Sequence, residues 1–400
     1  MTHLHTFVLA ITFISLNGIH GVPESCKISL PGGIPQHGEP VYLRTTKNGS
    51  LRALQPTGHT TSIPIGESVS IFCPNDEQKI QKVTCGRNFD LTKYICTGST
   101  TTETIETLEE CGGSGKWYKI GITLPKGDFH TIYRTCFDRK HLTPIYSFHI
   151  LNGKAVGYHV KHIRGSFRTT KGVYGKVRID NLYKTHISRF KKVFGSTQTF
   201  FRKPLFFLSR GHLSPEVDFT FGTEQHATEI YLNTAPQYQT INQGSWLNVE
   251  KHVRNLAGIL QENLPVVTGI LGLLHLKNKR TEQDIYLGDG VVPVPEIFWK
   301  AVFNPKTFEA IVFVGSNNPH TKTFNPGCQD VCDAAGYGDS QHPKQKFDNP
   351  SSGLTICCKL MEFIEKSNVI LPEELNYKKY NKILKLPKSS GNKENSAKRG

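Results

Sequence analysis

The chain has 400 residues, and its 48 lysines and arginines outnumber the 33 acidic residues, giving a formal net charge of +15. This charge suits a polyanionic partner, either nucleic acid or an anionic surface. Four hundred residues exceed one compact core of ordinary size, so we expect two domains. The apolar run over residues 264–276 is too short to span a bilayer and contains Pro265. We therefore expect no membrane span and a soluble mature chain.

The N-terminus carries an apolar run of signal-peptide length over residues 7–16, followed by the small residues Gly18 and Gly21. The positively charged residues that usually precede such a run are missing, since only histidines stand in their place. We predict a signal peptide over residues 1–21 and therefore a secreted, extracellular protein.

Short alternating runs, such as residues 40–44 and 69–72, follow the predicted signal peptide and are separated by glycine and proline. This period-two pattern predicts short strands, and a small domain of this kind usually needs disulfides. We predict a small disulfide-stapled β module over residues 22–96. The polar stretch after it lacks hydrophobic periodicity, so residues 97–110 are predicted to be a linker.

The ten cysteines are even in number and follow a predicted secretory start, which favours five disulfides. Adjacent Cys357 and Cys358 should then bond to two different partners. Cys328 and Cys332 beside this pair could also suggest zinc, but no paired histidines accompany them. Asn48 begins the one usable N-glycosylation sequon, so we expect a glycoprotein.

A basic segment over residues 161–192 interleaves lysine and arginine with Phe167, Tyr174, Tyr183 and Phe190. Such a pattern is typical of a surface that follows a phosphate backbone. The predicted nucleic-acid-binding residues are Lys161, Arg164, Arg168, Lys171, Lys176, Arg178, Arg189, Lys191 and Lys192. The alternative is an ordinary solvated, basic, β-rich surface.

The apolar run over residues 204–208 predicts a buried strand that presents Arg210 and His212 at its end. A histidine can take a proton from water near neutral pH, and arginines can clamp phosphate oxygens. These residue types fit phosphodiester cleavage. On its own, however, an Arg-Gly-His sequence is typical of an exposed turn.

A helix is predicted from Gln243 onward, because apolar residues beginning with Trp246 recur at steps of three and four. Trp246 is expected in the core of the domain rather than stacked on a base. Asn242 then lies at the helix entrance, where its amide oxygen could bind a hard cation. Glu250 and Arg254 are four residues apart, so the carboxylate could orient the guanidinium or a water. The alternative is a surface ion pair.

Three separated motifs resemble those of the DNA/RNA non-specific endonucleases, whose ββα-metal core carries Asp-Arg-Gly-His, Asn-x-x-x-Gln and Asn-Gln-Gly-x-Trp. Residues 208–213 match the first motif except at Ser209. Residues 233–237 match the second, and residues 242–254 match the third together with its trailing glutamate and arginine. Because a small residue commonly replaces the aspartate in the secreted animal branch, the arthropod-like secreted enzymes look closest.

The resemblance runs from about Cys111 to about Phe363, and residues 144–149 and 294–314 look like the first and last core strands. It implies an α+β fold, with a ββα-metal core of mixed or antiparallel sheet and flanking helices over residues 111–365. It implies magnesium, or alternatively manganese, as the cofactor. It also implies hydrolysis of double- and single-stranded DNA and RNA to products with 5′-phosphate ends.

The resemblance assigns roles to individual side chains. His212 would be the general base, Asn242 the direct metal ligand, and Glu250 the residue that positions water. Arg210 and Arg254 would hold the phosphate. The full set of implied catalytic residues is His212, Arg210, Glu250, Arg254, Asn233 and Gln237. Ser209 departs from the family aspartate, and loss of such an outer carboxylate can cost about 10- to 100-fold in metal affinity or activity.

Two other functions explain part of the sequence. Ser209 favours a secreted nucleic-acid-binding protein on the same fold with only weak nuclease activity. A protein that binds anionic polysaccharide or a membrane surface explains the charge but leaves the motifs to chance. Residues 366–400 are rich in lysine and poor in apolar residues, so we predict a basic, flexible tail. We expect it to add nucleic-acid affinity, and the alternative is that it only aids solubility.

Overall fold

The computed structural model describes residues 25–45, 49–74, 80–97, 102–125, 127–161, 165–278 and 281–387. Four predicted features lie wholly outside these residues, and they remain predictions. They are the signal peptide over residues 1–21, the sequon residue Asn48, the basic residue Arg164 and the end of the tail over residues 388–400.

The N-terminal module contains six short strands in two sheets. They are β1 (Ser25–Ser29), β2 (Val41–Thr45), β3 (Leu51–Ala53), β4 (Thr60–Pro64), β5 (Ser68–Phe72) and β6 (Ile80–Thr84). β1 pairs with β4, and the other four form a sheet in the order β3-β2-β5-β6. The disulfides Cys26–Cys85 and Cys73–Cys96 cross-link the module. The prediction of a disulfide-stapled β module is confirmed.

The rest of the described chain, here called the large domain, contains both helices and strands. In chain order they are β7 (Glu103–Cys111), β8 (Gly115–Thr123), β9 (Phe129–Asp138), β10 (Thr143–Asn152), α1 (Ile179–Phe194), β11 (Leu208–His212), α2 (Gly222–Ala227), β12 (Thr234–Tyr238), α3 (Gln239–Asn242), α4 (Ser245–Leu260), β13 (Asn263–Leu271), β14 (His275–Lys277), β15 (Glu282–Asp284), β16 (Tyr286–Leu287), β17 (Val292–Pro293), β18 (Ile297–Asn304), β19 (Glu309–Ser316), α5 (Cys332–Ala335), β20 (Thr355–Cys358), α6 (Leu360–Ser367) and β21 (Lys382–Ile383). The predicted α+β fold class is confirmed.

A nine-stranded sheet forms the centre of the large domain, in the order β20-β19-β18-β13-β10-β9-β8-β7. These neighbours are antiparallel, and β21 adds to β19 in parallel. Side chains of a strand alternate between its faces, so Phe298 joins the core on one face and Trp299 the core on the other. No described helix is long and apolar enough to cross a membrane.

One face of the sheet is covered by α1, α4 and the β11–β12 pair. Trp246, Val249, Val253 and Leu256 recur with helical spacing on α4, and all four are buried. Each such burial contributes roughly 1.5–3 kcal/mol. The prediction that Trp246 is a core residue is therefore confirmed, and the stripe fixes which side of α4 faces the sheet.

The opposite face is covered by α6 and the chain that follows it. Leu371, Leu375 and Tyr380 are buried in the core on this face, and β21 extends the central sheet. Leu384, just after β21, is buried in the core on the first face. The prediction of a flexible tail from residue 366 is wrong for the described residues up to 387, because apolar residues spaced through the lysines bury against the sheet. A lysine stem can also cover apolar surface while its charge stays in water.

Two other local predictions are wrong. Residues 97–110 were expected to be a linker, but most of them belong to β7, an edge strand that pairs with β8. Backbone hydrogen bonds to β8 hold this strand although its side chains show no hydrophobic periodicity. The expected strand over residues 204–208 begins at Leu208 instead, and Leu205 is exposed. The alternative of a β-rich surface for the basic segment does not hold either, because that segment contains most of the helix α1.

All ten cysteines are paired. Besides the two bonds of the module, the disulfides are Cys111–Cys136, Cys328–Cys358 and Cys332–Cys357. Adjacent Cys357 and Cys358 do bond to different partners, as predicted. These pairings leave no thiolate for zinc.

The module packs directly on the large domain. Val160 and Phe221 of the large domain join the core of the module. Glu39 is buried at this contact, and the Gly222 N–H donates to its Oε2 at 2.6 Å. Burial raises the pKa of Glu39 to about 8, with the Gly222 N–H opposing the shift and the charge of Glu224 adding to it. Burial also raises the pKa of Glu224 to about 7, so this contact favours protonated carboxyl groups.

We predict that Glu39→Gln changes how stability depends on pH. The native pKa of Glu39 is raised, so its contribution is fully present below the unfolded value of about 4.5 and is lost as the pH rises through about 8. This group can change the unfolding free energy by at most about 1.4 kcal/mol per pH unit. Between pH 5 and 8, wild type should therefore lose thermal stability relative to the glutamine variant. Glu110→Gln, on the exposed edge strand β7, should follow wild type, whereas parallel curves for wild type and Glu39→Gln would contradict the prediction.

Candidate active site

Two antiparallel strands and a helix frame a cleft of about 670 Å³ on one face of the large domain. β11 pairs with β12 so that Arg210 lies opposite Pro236 and His212 opposite Thr234. Residues two apart in a strand point to the same side, so the Arg210 and His212 side chains project together. Both line the cleft, as do Asn242 from the end of α3 and Glu250 from α4.

The Arg210 guanidinium lies among three aromatic rings. Its carbon is 5.2 Å from the centroid of Phe167, 4.9 Å from Tyr183 and 5.3 Å from Tyr231. Its Nε donates to the Tyr231 hydroxyl at 2.9 Å. Cation–π contacts and this hydrogen bond hold the planar group in one orientation. The guanidinium is therefore preorganised to bind an anion in the cleft.

His212 lies at the end of β11, beside the same aromatic group. The centroids of the His212 and Phe167 rings are 5.2 Å apart, and the planes are tilted by 43°. The imidazole is half-buried and lines the cleft. It is thus placed where it could exchange a proton with a molecule bound beside Arg210.

Asn242 is oriented by the residue that departs from the family motif. The Ser209 hydroxyl donates to the carbonyl oxygen of Gln237 at 3.0 Å, and it accepts from Asn242 Nδ2 at 3.3 Å. Because the amide nitrogen is used in this way, Oδ1 is the Asn242 atom left to bind a cation. A neutral amide oxygen is a suitable ligand for a hard divalent ion.

A buried group of charged residues supports the far end of the cleft. Arg254 Nη1 donates to Asp218 Oδ1 at 2.9 Å and lies 3.9 Å from Glu250 Oε2. The other oxygen of Asp218 accepts from His149 Nε2 at 3.0 Å. Lys300 is fully buried nearby and donates to the Leu213 carbonyl at 3.4 Å. The cleft therefore carries fixed charge behind its surface as well as on it.

Asp218 remains ionised within this group. Burial alone would raise the pKa of Asp218, but the hydrogen bond from His149 and the charge of Arg254 outweigh it and lower the pKa to about 2. Burial lowers the pKa of His149, and the hydrogen bond that His149 donates to Asp218 opposes this shift. A neutral His149 that donates through Nε2 can accept at Nδ1 from the Ser214 hydroxyl, 3.1 Å away. Asp218 thus supplies one negative charge to Arg254 and Lys300.

Comparison with known proteins identifies the family. The profile of the DNA/RNA non-specific endonucleases matches residues 113–363. A salivary endonuclease of Lutzomyia longipalpis is 60% identical over 403 aligned residues, covering 99% of this chain and 98% of the relative. The chain belongs to the DNA/RNA non-specific endonuclease family.

More distant relatives align over most of the chain as well. Salivary protein Tsal1 of Glossina morsitans morsitans is 26% identical over 88% of this chain and 92% of its own length. A salivary endonuclease of Culex quinquefasciatus is 25% identical over 94% of this chain and all of its own length. The family resemblance that the motifs carry is confirmed, and the protein is a nuclease.

Not all residues of the endonuclease motifs line the cleft. Asn233 is fully buried, and its amide donates to the carbonyls of Ser214 and Thr228 and accepts from the Ser214 N–H. Gln237 is also fully buried, beneath Gly211. Both residues were expected to be catalytic, but their amides lie inside the fold and neither residue lines the cleft. Asn233 links the chain after β11 to the chain before β12, whereas the Gln237 amide is buried without a hydrogen bond to any described residue.

The basic segment of the endonuclease is divided between structural and exposed residues. Arg168 donates to Thr102 and to the His226 carbonyl, and Arg189 donates to Asp289 and to the Tyr286 carbonyl. These two arginines hold the fold together. The exposed members are Lys161, Lys171, Lys176, Arg178, Lys191 and Lys192. Tyr174, Tyr183 and Phe190 are buried rather than interleaved on the surface.

The sequence analysis did not assign several residues in or behind the cleft to the site. Lys184 from α1 and Lys203 and Phe207 before β11 line it. Asp218 and His149 belong to segments 69 residues apart, so no local spacing connects them. Lys300 alternates with apolar neighbours along β18, where an isolated lysine would ordinarily be expected at the surface.

We predict that Asp218→Asn impairs both stability and catalysis. The amide keeps the shape but removes the charge of Asp218 from the buried cations Arg254 and Lys300, which then have Glu250 as their other nearby carboxylate. This loss should cost about 3–5 kcal/mol. Because Asp218 positions Arg254, we expect kcat/KM to fall at least about tenfold. Thermal unfolding and cleavage rates, taken where circular dichroism shows both proteins folded, test this. Asp284→Asn, on the exposed strand β15, is the control.

The pH dependence of the same variant gives a second readout. The native pKa of Asp218 is lowered to about 2 from an ordinary value of 3.8, so its contribution is present above 3.8 and is lost as the pH falls through 2. Wild type should therefore exceed the asparagine variant in stability at pH 5 to 7 and approach it below pH 3. Equal stability and equal rates at neutral pH would contradict the assignment.

Proposed function

We propose that this protein is a secreted, magnesium-dependent, sugar-non-specific endonuclease that hydrolyses phosphodiester bonds of double- and single-stranded DNA and RNA, leaving 5′-phosphate ends. One observation carries the proposal. Arg210, His212, Asn242 and Glu250 converge on a single cleft although they come from three different elements. A pure nucleic-acid-binding surface would need the arginine but not the other three.

The residues of the cleft fit the divalent metal on which the family depends. Asn242 Oδ1 would hold the ion, and the Glu250 carboxylate lies in the same cleft. A bound magnesium ion would supply Lewis acidity and neutralise charge on the phosphate. Manganese accepts similar oxygen ligands and is the alternative ion.

The side chains themselves perform the remaining work. Arg210 would bind a phosphate oxygen with a guanidinium already fixed by three rings, and Arg254 would bind the phosphate while Asp218 holds it. Glu250 would orient the attacking water. His212 would take the proton of that water as its oxygen attacks phosphorus and the 3′ oxygen leaves, which produces the 5′-phosphate.

These roles require a phosphate and a water molecule but no sugar hydroxyl. The 2′-hydroxyl takes no part in the attack, so the same side chains serve DNA and RNA. The exposed lysines of the basic segment support affinity for either polyanion, and such affinity weakens as salt increases. Magnesium and the 5′-phosphate products are therefore tested with both nucleic acids.

Secretion is supported by two independent features. Five disulfides in one chain are typical of an oxidising compartment. The relative from Lutzomyia longipalpis is named a salivary endonuclease and aligns along nearly its whole length. The signal peptide proposed for residues 1–21 is consistent with both.

Ser209 favours a second candidate, a secreted nucleic-acid-binding protein with weak turnover. The hydroxyl orients Asn242 but adds no negative charge to the metal site. A weaker metal site would lower turnover while leaving the basic surface unchanged. The two candidates differ in the rate of cleavage at saturating magnesium, which the next experiment measures.

We predict that His212→Ala removes most cleavage and leaves binding nearly intact, because the imidazole acts on water and not on substrate affinity. The mature protein is incubated with plasmid DNA and with long double-stranded RNA, with magnesium or with chelator. We expect the rate to fall by about 100-fold or more. His275→Ala, on the exposed strand β14, serves as the matched control.

The outcomes of that experiment are distinct. Degradation that needs magnesium and is lost only in His212→Ala supports the nuclease. A fully active His212→Ala protein overturns the role of the imidazole. Tight binding with negligible cleavage by wild type at saturating magnesium supports the second candidate instead.

We predict that Asn242→Ala raises the magnesium concentration needed for half-maximal cleavage, because the alanine lacks the amide oxygen. Removal of a direct ligand should shift this concentration at least about tenfold, and excess metal should partly restore the rate. Asn248→Ala, on the neighbouring turn of α4, should keep the wild-type requirement. An unchanged magnesium titration for Asn242→Ala would show that the metal is held elsewhere.

A further inference from the structure

A short loop lies at the edge of the cleft, between α1 and β11. We call residues 202–207 the rim loop. Arg202 and Phe206 form an isolated antiparallel bridge, in which the Phe206 N–H donates to the Arg202 carbonyl at 2.8 Å. The Gln239 N–H donates to the Phe207 carbonyl at 2.8 Å, which links the loop to α3. The rim loop is therefore a closed turn attached to the element that carries Asn242.

The residues that precede the rim loop anchor it in the core. Phe201 is fully buried and stacks between Phe190 and Tyr238, with centroid distances of 3.9 and 5.2 Å. The Gln198 side chain donates to the Phe201 carbonyl at 2.6 Å and accepts from the Phe201 N–H at 2.8 Å. This anchoring limits the positions that the exposed side chains of the loop can take.

Two side chains of the rim loop face the cleft. Lys203 and Phe207 line the same space as Arg210 and His212. The Lys203 Nζ lies 5.9 Å from the centroid of the Phe207 ring. Across the cleft edge, Lys184 of α1 lines the same space, and its side chain is largely exposed. Lys184 also forms an exposed ion pair with Asp180 at 3.5 Å, which a phosphate could replace. An aromatic ring and two lysines thus extend the cleft beyond the residues of the family motifs.

The rim loop carries positive charge without a compensating acid of its own. Residues 195–208 contain no aspartate or glutamate. Among the described residues, neither Arg202 nor Lys203 forms an ion pair. Leu205 at the tip is 55% exposed. A loop with free cations and uncovered apolar surface is complementary to a ligand that presents both anionic and flat apolar groups.

We propose that the rim loop is a nucleotide-binding subsite, in which an unstacked base packs on Phe207 and a flanking phosphate lies between Lys203 and Lys184. This inference rests on the proposed function, because it assigns part of the same substrate. Phosphate contacts alone would need the lysines but not the ring. Bases inside a duplex are already stacked on both faces, so the subsite should favour a single strand or a frayed end.

The ring is tested by binding without cleavage. A fluorescein-labelled single strand of about 12 nucleotides is titrated with the full chain in the presence of chelator. Phe207→Ala should weaken binding about tenfold, the loss typical of one stacked base, and Phe207→Trp should preserve it. Phe308→Ala, which removes an exposed ring far from the cleft, should bind as wild type does. Thermal unfolding checks that each variant is folded.

A second set of binding measurements tests whether Phe207 contacts a base of the strand. The same strand is prepared with an abasic site at each position in turn. At the position that stacks, the abasic strand should bind wild type about tenfold more weakly, and Phe207→Ala should add no further loss. A blunt duplex should show little dependence on Phe207. Equal losses for duplex and single strand, or binding by Phe207→Ala within twofold of wild type, would overturn the proposal.

The lysines are tested by salt dependence. For a single strand, each neutralised phosphate contributes about 0.7 to the slope of log affinity against log salt. Lys203→Gln and Lys184→Gln together should reduce that slope by about this amount, whereas Lys82→Gln in the N-terminal module should not. An unchanged slope would contradict the phosphate contact. Because binding is measured without cleavage, a Phe207-dependent site in a protein that does not cleave would preserve the subsite and reject the nuclease instead.

Discussion

The register between β11 and β12 is the constraint on which the cleft depends. A strand that slips by one residue turns every side chain to the opposite face, so a slip would bury Arg210 and His212 and expose their neighbours. Gly211 supports this register by close packing. A Cβ at Gly211 would lie 2.5 Å from Gln237 Oε1. A side chain larger than hydrogen at position 211 would therefore collide with Gln237, which lies opposite Ser209 and packs over the glycine.

Buried charge then determines how the cleft presents its arginines. Arg210 is held by neutral aromatic rings, whereas Arg254 is held by the Asp218 carboxylate. Both arrangements remove water from the guanidinium and fix its direction before substrate arrives, which is the condition for strong electrostatic stabilisation of a developing charge. They differ in net charge. The rings around Arg210 carry no negative charge, whereas Arg254 shares its charge with Asp218 and Glu250. Under the proposed function, Arg210 would therefore bring the larger net positive charge to a phosphate.

The sequence predicted the parts of this site that are local in the chain. Residues 208–213 and 242–254 are each continuous, so their types and spacing indicated the chemistry and the family. Asn233 and Gln237 matched a motif but not the proposed role, because spacing alone does not tell which side of a strand is solvated. The group of Asp218, His149 and Lys300 could not be predicted from the sequence, because its members are far apart in the chain and meet only in the tertiary structure.

The failures elsewhere have a similar physical cause. The interleaved aromatic and basic residues before Phe194 suggested a surface, but Tyr183, Phe190 and Phe194 are spaced by seven and four, which places them on one face of the helix α1. In the tail, the abundance of lysine led to the prediction of a flexible segment. Four apolar or aromatic residues are nevertheless enough to pack it on the domain, namely Leu371, Leu375, Tyr380 and Leu384. Composition describes the average residue, whereas a packed segment needs only its apolar residues at the right positions.

Ser209 shows how a substitution can preserve geometry while changing electrostatics. A carboxylate at this position could accept from Asn242 Nδ2 as the hydroxyl does, so either residue would leave the amide oxygen directed to a metal. The carboxylate would also add a negative charge near the cation, which the hydroxyl does not. At the proposed metal site, attraction for the ion would then depend more on Glu250 and on the phosphate of the substrate. A site built in this way should bind its metal more tightly with substrate present than without it, because the phosphate supplies the charge that Ser209 lacks.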